Sequence, residues 1–383
     1  MSIAEKLSTP LRAAVVGARA MGKRHAQVLS KQSNYRLAAV CDLVPEIAHE
    51  CAAEVGATAY TDLRELLRVE RPEVVVICTN NTTHARLTIE VAQAGVRSIV
   101  CEKPMATCLG DAREMVAACE KAGVILLVNH QRRLGADLAE MRRLIDSGAI
   151  GDVIEIRGWC AGDILSDGTH LIDSLLWLSG DGEADWVAGH ISRDLSSAAG
   201  WPKSETPDTK RGFRYGHAVE SGGWGLIHLK DERRLEIFCG DYRGRREYQE
   251  YEVIGTHGRL WRIGDRMRPN LFIEDASGGD LEARFDEDTG YIYPQSSPNG
   301  RGPWRAVPVT PLASGGAIPE AYQRLVRCLR EGIDHPMTGR NALRGLELVM
   351  AIYESARLGG RVSLPLAQEV FPLDLMIKEG RAS

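Results

Sequence analysis

The first third of the chain alternates short apolar runs with longer amphipathic stretches. Apolar runs of strand length lie at 12–17, 36–41, 74–78, 98–101 and 124–128. Stretches with helical periodicity lie between them, at 21–32, 45–55, 63–67, 83–93 and 110–121. Each stops at a glycine, a proline or a polar cluster. This alternation predicts βαβ units on a doubly wound parallel sheet of the Rossmann type.

The pattern changes after residue 133. A helical stretch at 134–146 precedes strand-like runs at 152–157, 220–229, 234–238, 249–253 and 271–274, and two late helices are predicted at 318–331 and 341–358. Many strands with few helices predict an α+β domain on a large, mostly antiparallel open sheet with one covered face. The chain is therefore predicted to divide into an α/β domain at 1–130 and an α+β domain at 131–383.

Two polar stretches, 182–216 and 275–304, are rich in Ser, Pro, Gly and charged residues. Both are predicted to be long loops. Long loops in compact domains often cover functional sites or contact neighbouring subunits. The sequence does not choose between these roles.

Composition narrows the class of protein. With 44% hydrophobic and 26% charged residues, a net charge of -5 and a pI near 6.1, the chain has no basic run of the kind that binds nucleic acid or a membrane surface. It has no apolar run of signal-peptide or membrane-spanning character. The nine cysteines form no C-x-x-C pair. This spacing predicts reduced cysteines in a cytoplasmic protein and gives no indication of a metal site.

Residues 17–22, GARAMG, follow the first predicted strand and match the dinucleotide-binding pattern G-x-G-x-x-G, except that Arg19 replaces the middle glycine. Gly17 allows a tight turn, Gly22 allows close helix packing, and the helix N-terminus offers N–H groups to a pyrophosphate. Arg19 is able to pair with a phosphate oxygen instead. The segment therefore predicts a dinucleotide site.

Asp42 ends the second strand, where an acid accepts hydrogen bonds from the adenosine ribose diol and repels a 2′-phosphate. It therefore favours NAD over NADP. The alternative is that Asp42 caps a helix beginning at Pro45. The polar loop Thr79, Asn80, Asn81 to His84 caps another helix and is a further candidate for cofactor contact.

Lys103 follows the strand at 98–101 in the segment Glu102-Lys103-Pro104, at the carboxyl edge of the sheet where open α/β folds bind ligands. Proline restrains the backbone of the lysine, and partial desolvation makes an ammonium easier to deprotonate. Two interpretations are open on these residues alone: a catalytic lysine, or a solvated lysine at a strand end.

His170 and Asp173 lie three positions apart on a helix predicted to begin near Ser166, so both project from one face. A neutral imidazole there donates or accepts a proton, and an anion is stabilised near a helix N-terminus. The alternative is a capping aspartate and a structurally satisfied histidine.

The order of these motifs resembles that of the Gfo/Idh/MocA family, the glucose-fructose oxidoreductase and inositol dehydrogenase group. Further similar segments are 129–133, 146–151, 167–173, 251–258 and 355–360, and the resemblance covers 11–366. Members often carry an aspartate four positions before the histidine. Ser166 stands there in this chain, and Asp167 follows it.

The resemblance implies an NAD-dependent oxidoreductase that transfers hydride between the nicotinamide and a secondary hydroxyl of a cyclic polyol, sugar or glycoside. His170 would be the general base or acid, Lys103 would polarise the reacting oxygen, and Asp173 would orient the sugar. Implied substrate contacts are Lys103, Arg132, Asp167, His170, Asp173 and Trp159. Implied cofactor contacts are Gly17, Ala18, Arg19, Ala20, Met21, Gly22, Asp42, Thr79, Asn80, Asn81, His84, Glu102, Lys103 and Gln131.

Several alternatives stay open. Arg132 is as readily a salt-bridged residue at the domain junction as a substrate contact. Trp159 and Tyr215 are candidates for stacking on a sugar, but ordinary packing in the core or in a loop also explains them. The resemblance also permits an NADP-dependent carbonyl reductase, an NAD-using enzyme that cleaves glycosides through transient oxidation, and a non-catalytic dinucleotide sensor. It further implies a homodimer or homotetramer, formed by the second domain.

Overall fold

The computed structural model describes residues 9–193, 206, 209–240, 249–265, 268–275, 281–286, 291–296 and 304–381. The helices are α1 Ala20–Ser30, α2 Pro45–Val55, α3 Leu63–Glu70, α4 His84–Gln93, α5 Leu109–Ala122, α6 Ala136–Asp146, α7 Thr169–Leu178, α8 Ala317–Glu331, α9 Gly339–Leu358 and α10 Pro372–Lys378. A π-helical turn, Ile164–Gly168, leads directly into α7. Among the described residues, no helix has both the length and the apolar character needed to cross a membrane.

The first sheet is six-stranded and parallel, which confirms the predicted doubly wound fold. Its strands are β1 Leu11–Val16, β2 Tyr35–Cys41, β3 Thr58–Tyr60, β4 Val74–Ile77, β5 Ser98–Cys101 and β6 Ile125–Val128. The order β3-β2-β1-β4-β5-β6 reverses direction between β1 and β4. Ligands of open α/β sheets bind beside such a reversal, at the carboxyl ends of the strands.

The second sheet is nine-stranded and mostly antiparallel, as predicted, in the order β19-β16-β15-β14-β7-β13-β12-β8-β20. Its strands are β7 Val153–Cys160, β8 Ala184–Ser192, β12 Gly222–Leu229, β13 Arg234–Gly240, β14 Gln249–Gly255, β15 Gly258–Arg262, β16 Leu271–Asp275, β19 Arg305–Ala306 and β20 Val362–Ser363. Only the β7–β13 pair is parallel among these described strands. Two smaller sheets comprise β9 Thr209–Lys210, β10 Phe213–Arg214 and β11 His217–Ala218, and β17 Leu281–Asp286 with β18 Tyr291–Ser296.

Helices α7 and α9 cover one face of the nine-stranded sheet at close range. A Cβ on Gly158 of β7 would lie 2.5 Å from Leu171 Cδ1, and a Cβ on Gly225 of β12 would lie 2.5 Å from Ile352 Cδ1. These glycines therefore let α7 and α9 approach the strands. On the opposite face Trp224 is half-exposed, because its neighbour Gly225 faces α9.

The prediction of a long loop over 182–216 is wrong in two places. Residues Ala184–Ser192 form β8, and 209–218 form the short strands β9 to β11. The interval 194–205 and residues 207–208 lie outside the described residues. β8 was missed because Asp, Gly and His interrupt its apolar pattern, whereas pairing with β12 and packing on α9 specify it.

The second polar stretch, 275–304, also contains strands, β17 and β18, rather than loop alone. The rest of that prediction, 276–280, 287–290 and 297–303, lies outside the described residues. The predicted boundary at 130 separates the two large sheets but not their cores. Helix α8 packs Tyr322 into the core of the first domain, where Tyr35 Oη donates to the Tyr322 carbonyl at 2.7 Å.

Candidate active site

The turn after β1 has the geometry of a dinucleotide cradle. Gly17 has φ +86°, and a Cβ there would lie 2.5 Å from the Cys78 carbonyl oxygen. A Cβ on Gly22 would lie 1.7 Å from the Gly17 carbonyl oxygen, so neither position accommodates a side chain. Arg19 immediately precedes α1 and is exposed. The free N–H groups of α1 and the Arg19 guanidinium therefore suit a pyrophosphate.

Asp42 is fixed beside this turn. Its Oδ2 accepts from the Ala18 N–H at 2.8 Å and its Oδ1 from the Val44 N–H at 3.0 Å. The cap residue of α2 is Val44, so Asp42 orients the chain ahead of that helix rather than capping it. Each carboxylate oxygen retains a second lone pair for a ribose hydroxyl.

The loop after β4 reaches the segment that carries Lys103 through a buried histidine. His84 is fully buried, and its ring nitrogens lie 2.8 Å from the Pro104 carbonyl oxygen and 3.0 Å from that of Thr79. Burial lowers the pKa of His84. Both ring nitrogens face backbone carbonyls, so His84 positions Thr79 and Pro104, and its contact with the cofactor stays a prediction.

Glu102 is likewise buried and held by side chains of the first domain. Its Oε1 accepts from His25 Nε2 at 2.8 Å and from Asn129 Nδ2 at 2.6 Å. Burial alone would raise the pKa of Glu102, but the hydrogen bonds and charge of His25 and the contact with Asn129 lower it to about 2. Contact of Glu102 with the cofactor stays a prediction. Its carboxylate anchors the backbone immediately before Lys103.

We expect Glu102 to make folding stability depend on acid pH. Its pKa falls from 4.5 to about 2 on folding, so the stabilisation is present above pH 4.5 and is lost as pH falls toward 2. Urea unfolding at about pH 6 and about pH 3 should show the stability gap between the wild type and Glu102→Gln shrinking by roughly 2 kcal/mol. A gap independent of pH would contradict this assignment.

Lys103 projects toward the π-helical turn. Its Nζ donates to the Ser166 carbonyl oxygen at 2.6 Å and lies 4.0 Å from Asp167 Oδ1. The side chain is 20% exposed, so it is largely shielded from solvent. The other carboxylate oxygen, Asp167 Oδ2, lies 3.6 Å from Arg214 Nη1. The Asp167 carboxylate therefore lies between the Lys103 ammonium and the Arg214 guanidinium.

His170 lies in the first turn of α7, directly after the π-helical turn that Lys103 contacts. It is 4% exposed, and its Nδ1 is buried without a hydrogen-bond partner among the described residues. Burial, followed by the charge of Lys103, lowers the pKa of His170 well below its usual value. The imidazole is therefore neutral at neutral pH, with its lone pair available to accept a proton.

Asp173 is engaged elsewhere. Its Oδ2 accepts from Arg133 Nε at 2.8 Å, its Oδ1 lies 3.4 Å from His130 Nδ1, and the residue is 1% exposed. Arg133 is itself buried, and it also pairs with Asp181. In this structure the Asp173 carboxylate neutralises a buried guanidinium, and its role in orienting a sugar hydroxyl stays a prediction.

Arg132 and Trp159 differ in position. Arg132 forms a bidentate pair with Asp265, at 3.0 and 2.7 Å, and its charge contributes to the lowered pKa of His170, so it lies by the site. Side chains alternate between the two faces of a strand. Because Gly158 faces α7, Trp159 faces the opposite side of the sheet, away from Lys103. This position does not favour the predicted sugar contact by Trp159, which stays a prediction.

Two residues of the β10–β11 hairpin reach the site and were missed from the sequence. Arg214 pairs with Asp167 and, at 3.5 Å, with the buried Asp163. His217 Nε2 lies 3.0 Å from Asn81 Nδ2 and 3.3 Å from Ser166 Oγ. The only sequence signal was their place in a stretch taken to be a covering loop.

The cofactor residues left to consider fit a dinucleotide. Gln131 follows β6 at the same edge of the sheet, and its Oε1 is buried without a partner among the described residues. An orphaned acceptor of this kind matches the amide donor of a nicotinamide. Together with the Gly17–Gly22 cradle and Asp42, it shows that these residues suit NAD.

Comparison with known proteins agrees with both halves of the chain. Residues 11–130 match the profile of the oxidoreductase family NAD-binding Rossmann fold, and residues 142–364 match that family's C-terminal alpha/beta domain.

Two relatives and one solved structure illustrate the similarity. The D-glucoside 3-dehydrogenase of Escherichia coli (strain K12) is 25% identical over 75% of this chain and 93% of its own length. The myo-inositol 2-dehydrogenase of Thermotoga maritima is 30% identical over 72% and 81%. A levoglucosan dehydrogenase in complex with NADH superposes with a TM-score of 0.73 at 22% identity, over 93% of this chain and 99% of that one. At that identity, the last likeness concerns the fold.

Proposed function

This chain belongs to the Gfo/Idh/MocA oxidoreductase family, and from that premise we propose that it is an NAD-dependent dehydrogenase acting on a secondary hydroxyl of a cyclic polyol, sugar or glycoside. One observation carries the proposal. Lys103, at the carboxyl edge of the dinucleotide-binding sheet, is hydrogen-bonded to the turn that leads into His170. A cation and a neutral imidazole therefore share one cleft beside the cofactor cradle.

Bound NAD supplies the hydride acceptor in this reaction. The chain must then hold the hydroxyl and remove its proton. His170 accepts that proton through its unprotonated imidazole nitrogen. One Lys103 proton is committed to the Ser166 carbonyl, and another is directed at the substrate oxygen, where the ammonium stabilises the negative charge that develops.

Asp167 is the carboxylate we assign to a neighbouring substrate hydroxyl, in place of Asp173. It is 17% exposed and lies next to Lys103, whereas both oxygens of Asp173 are occupied in the interior. Sugar hydroxyls are suited to such an acceptor because a charged partner strengthens the hydrogen bond. The names of the relatives, which include a glucoside and an inositol dehydrogenase, support the substrate class.

The proposal is tested by NADH formation across inositols, hexoses, uronates and glycosides, repeated with NADP. We expect NADH to accumulate with at least one cyclic polyol or sugar. Cleavage of a glycoside without NADH accumulation would favour the transient-oxidation enzyme. Binding of NAD without oxidation of any compound would favour a sensor, and turnover with NADPH alone would favour the carbonyl reductase.

We expect Asp42 to select NAD over NADP. A 2′-phosphate placed at Asp42 meets a carboxylate fixed by the Ala18 and Val44 N–H groups. Asp42→Ser should therefore narrow the preference for NAD over NADP by about tenfold or more, since one repelling charge is worth roughly 1–2 kcal/mol at this exposure. The measurement is kcat/KM with NAD and with NADP. The control is Asp62→Ser, because Asp62 is an acidic residue that caps α3.

Cytoplasmic location and a homodimer or homotetramer are part of the same proposal. The open face of the nine-stranded sheet carries the half-exposed Trp224, which supports a contact between copies. Size-exclusion chromatography with light scattering tests the oligomeric state.

A further inference from the structure

A buried histidine of the β10–β11 hairpin connects the two domains across the cleft. His217 is 5% exposed, and its hairpin turns through Tyr215 and Gly216, with φ +52° and +89°, which is the backbone of a tight two-residue turn. A Cβ on Gly216 would lie 2.8 Å from Thr82 Oγ1. The hairpin tip therefore lies directly against the 79–83 loop of the first domain.

The contacts of His217 determine its tautomer. Nδ1 lies 2.8 Å from the Ala218 carbonyl oxygen, which only accepts, so Nδ1 carries the proton. Nε2 is then an acceptor, and it receives the Asn81 amide N–H at 3.0 Å and the Ser166 hydroxyl at 3.3 Å. Burial lowers the pKa of His217, so this neutral form persists at neutral pH.

Both donors to Nε2 belong to functional segments. Asn81 lies in the loop after β4 that we assign to the cofactor. Ser166 supplies the carbonyl oxygen that accepts from Lys103 Nζ at 2.6 Å. A displacement of Asn81 thus changes the acceptor shared with Ser166, and with it the hydrogen bond that holds the lysine.

We propose that His217 is a positioning residue that couples the 79–83 loop to the placement of Lys103, through Asn81, His217 Nε2 and Ser166. The inference rests on the proposed function, because it assigns the loop to NAD and the lysine to catalysis. Its consequence is that occupation of the cofactor loop sets the position of Lys103 before a sugar binds. Such coupling is established by non-additive variants rather than by proximity.

The test is a double-mutant cycle read at Lys103. Wild type, Asn81→Ala, His217→Phe and the double variant are treated with a trace of acetic anhydride, and acylation of Lys103 is quantified by mass spectrometry. His217→Phe keeps a ring and removes the acceptor. Lys230, which is exposed and paired with Glu183, is the internal standard, and His190→Phe is the control substitution.

We expect Asn81→Ala to raise the rate of Lys103 acylation by about three- to tenfold when His217 is present. In the His217→Phe variant, the same substitution should raise the rate by less than twofold. His217→Gln, which retains an acceptor oxygen, should restore most of the Asn81 effect. Additive rates in the cycle would overturn the proposal. If His217 had a purely structural role, His217→Phe would lower the melting temperature and the acylation rates would stay additive. That result would also overturn the proposal.

A Ser166→Ala variant tests the same proposal if His217→Phe does not fold. Ser166→Ala removes the other donor to Nε2 but keeps the carbonyl that accepts from Lys103, so the effect of Asn81→Ala should again fall below twofold. A full effect of Asn81→Ala in that background would overturn the relay. The acylation readout needs no sugar. Failure of the proposed function, seen as no NADH formed by wild type on the whole panel, is therefore distinguishable from failure of this inference.

Discussion

A Lys103→Met variant is expected to form NADH about 10³-fold more slowly than wild type while binding NADH with nearly unchanged affinity. Methionine keeps the apolar stem but removes the ammonium that donates to the Ser166 carbonyl and lies beside Asp167. The alkoxide that develops on the substrate then loses the ammonium that stabilises its charge. Steady-state kinetics on the best substrate of the panel, together with NADH fluorescence titration, measures both quantities.

The matched control is Lys230→Met, which removes an exposed ammonium paired with Glu183 and should change neither rate nor affinity. Turnover of Lys103→Met within about tenfold of wild type would show that Lys103 is not the polarising group. A loss of NADH affinity as large as the loss of rate would instead place the lysine in cofactor binding.

The core of the first domain was predictable because its strands are buried on both faces. All residues of β4 and β5 are buried and all but Ser98 are apolar, and such runs stand out between amphipathic helices. β3 was missed because it has only three residues at the edge of the sheet, of which Thr58 is exposed and the other two are half-buried. β8 was missed because its register comes from β12, more than thirty positions later in the chain.

The site was predictable where a short motif fixes the backbone and unpredictable where partners come from elsewhere. The cradle from Gly17 to Gly22 was recognisable because its glycines mark a tight strand-to-helix turn, although the contact that excludes a side chain at Gly17 comes from Cys78. The availability of Asp173 depends on Arg133, and the arrival of His217 depends on the hairpin docking against Thr82. The sequence pattern does not show which side-chain lone pairs already accept hydrogen bonds. The roles of Asp173 and His217 therefore had to come from the structure.

Asp173 and Arg133 form the interaction with the largest expected effect on stability. Arg133→Met is expected to lower the free energy of unfolding by about 3–5 kcal/mol, because it leaves a carboxylate buried with one long contact to His130. The double variant Arg133→Met, Asp173→Leu should recover much of that loss, since no charge stays buried and unpaired. Urea unfolding measures each value, and Arg143→Met, which breaks an exposed pair with Glu140, should cost no more than about 1 kcal/mol. If Asp173→Asn instead raised KM for the sugar and left stability unchanged, the carboxylate would face the substrate, and the buried-pair assignment would be wrong.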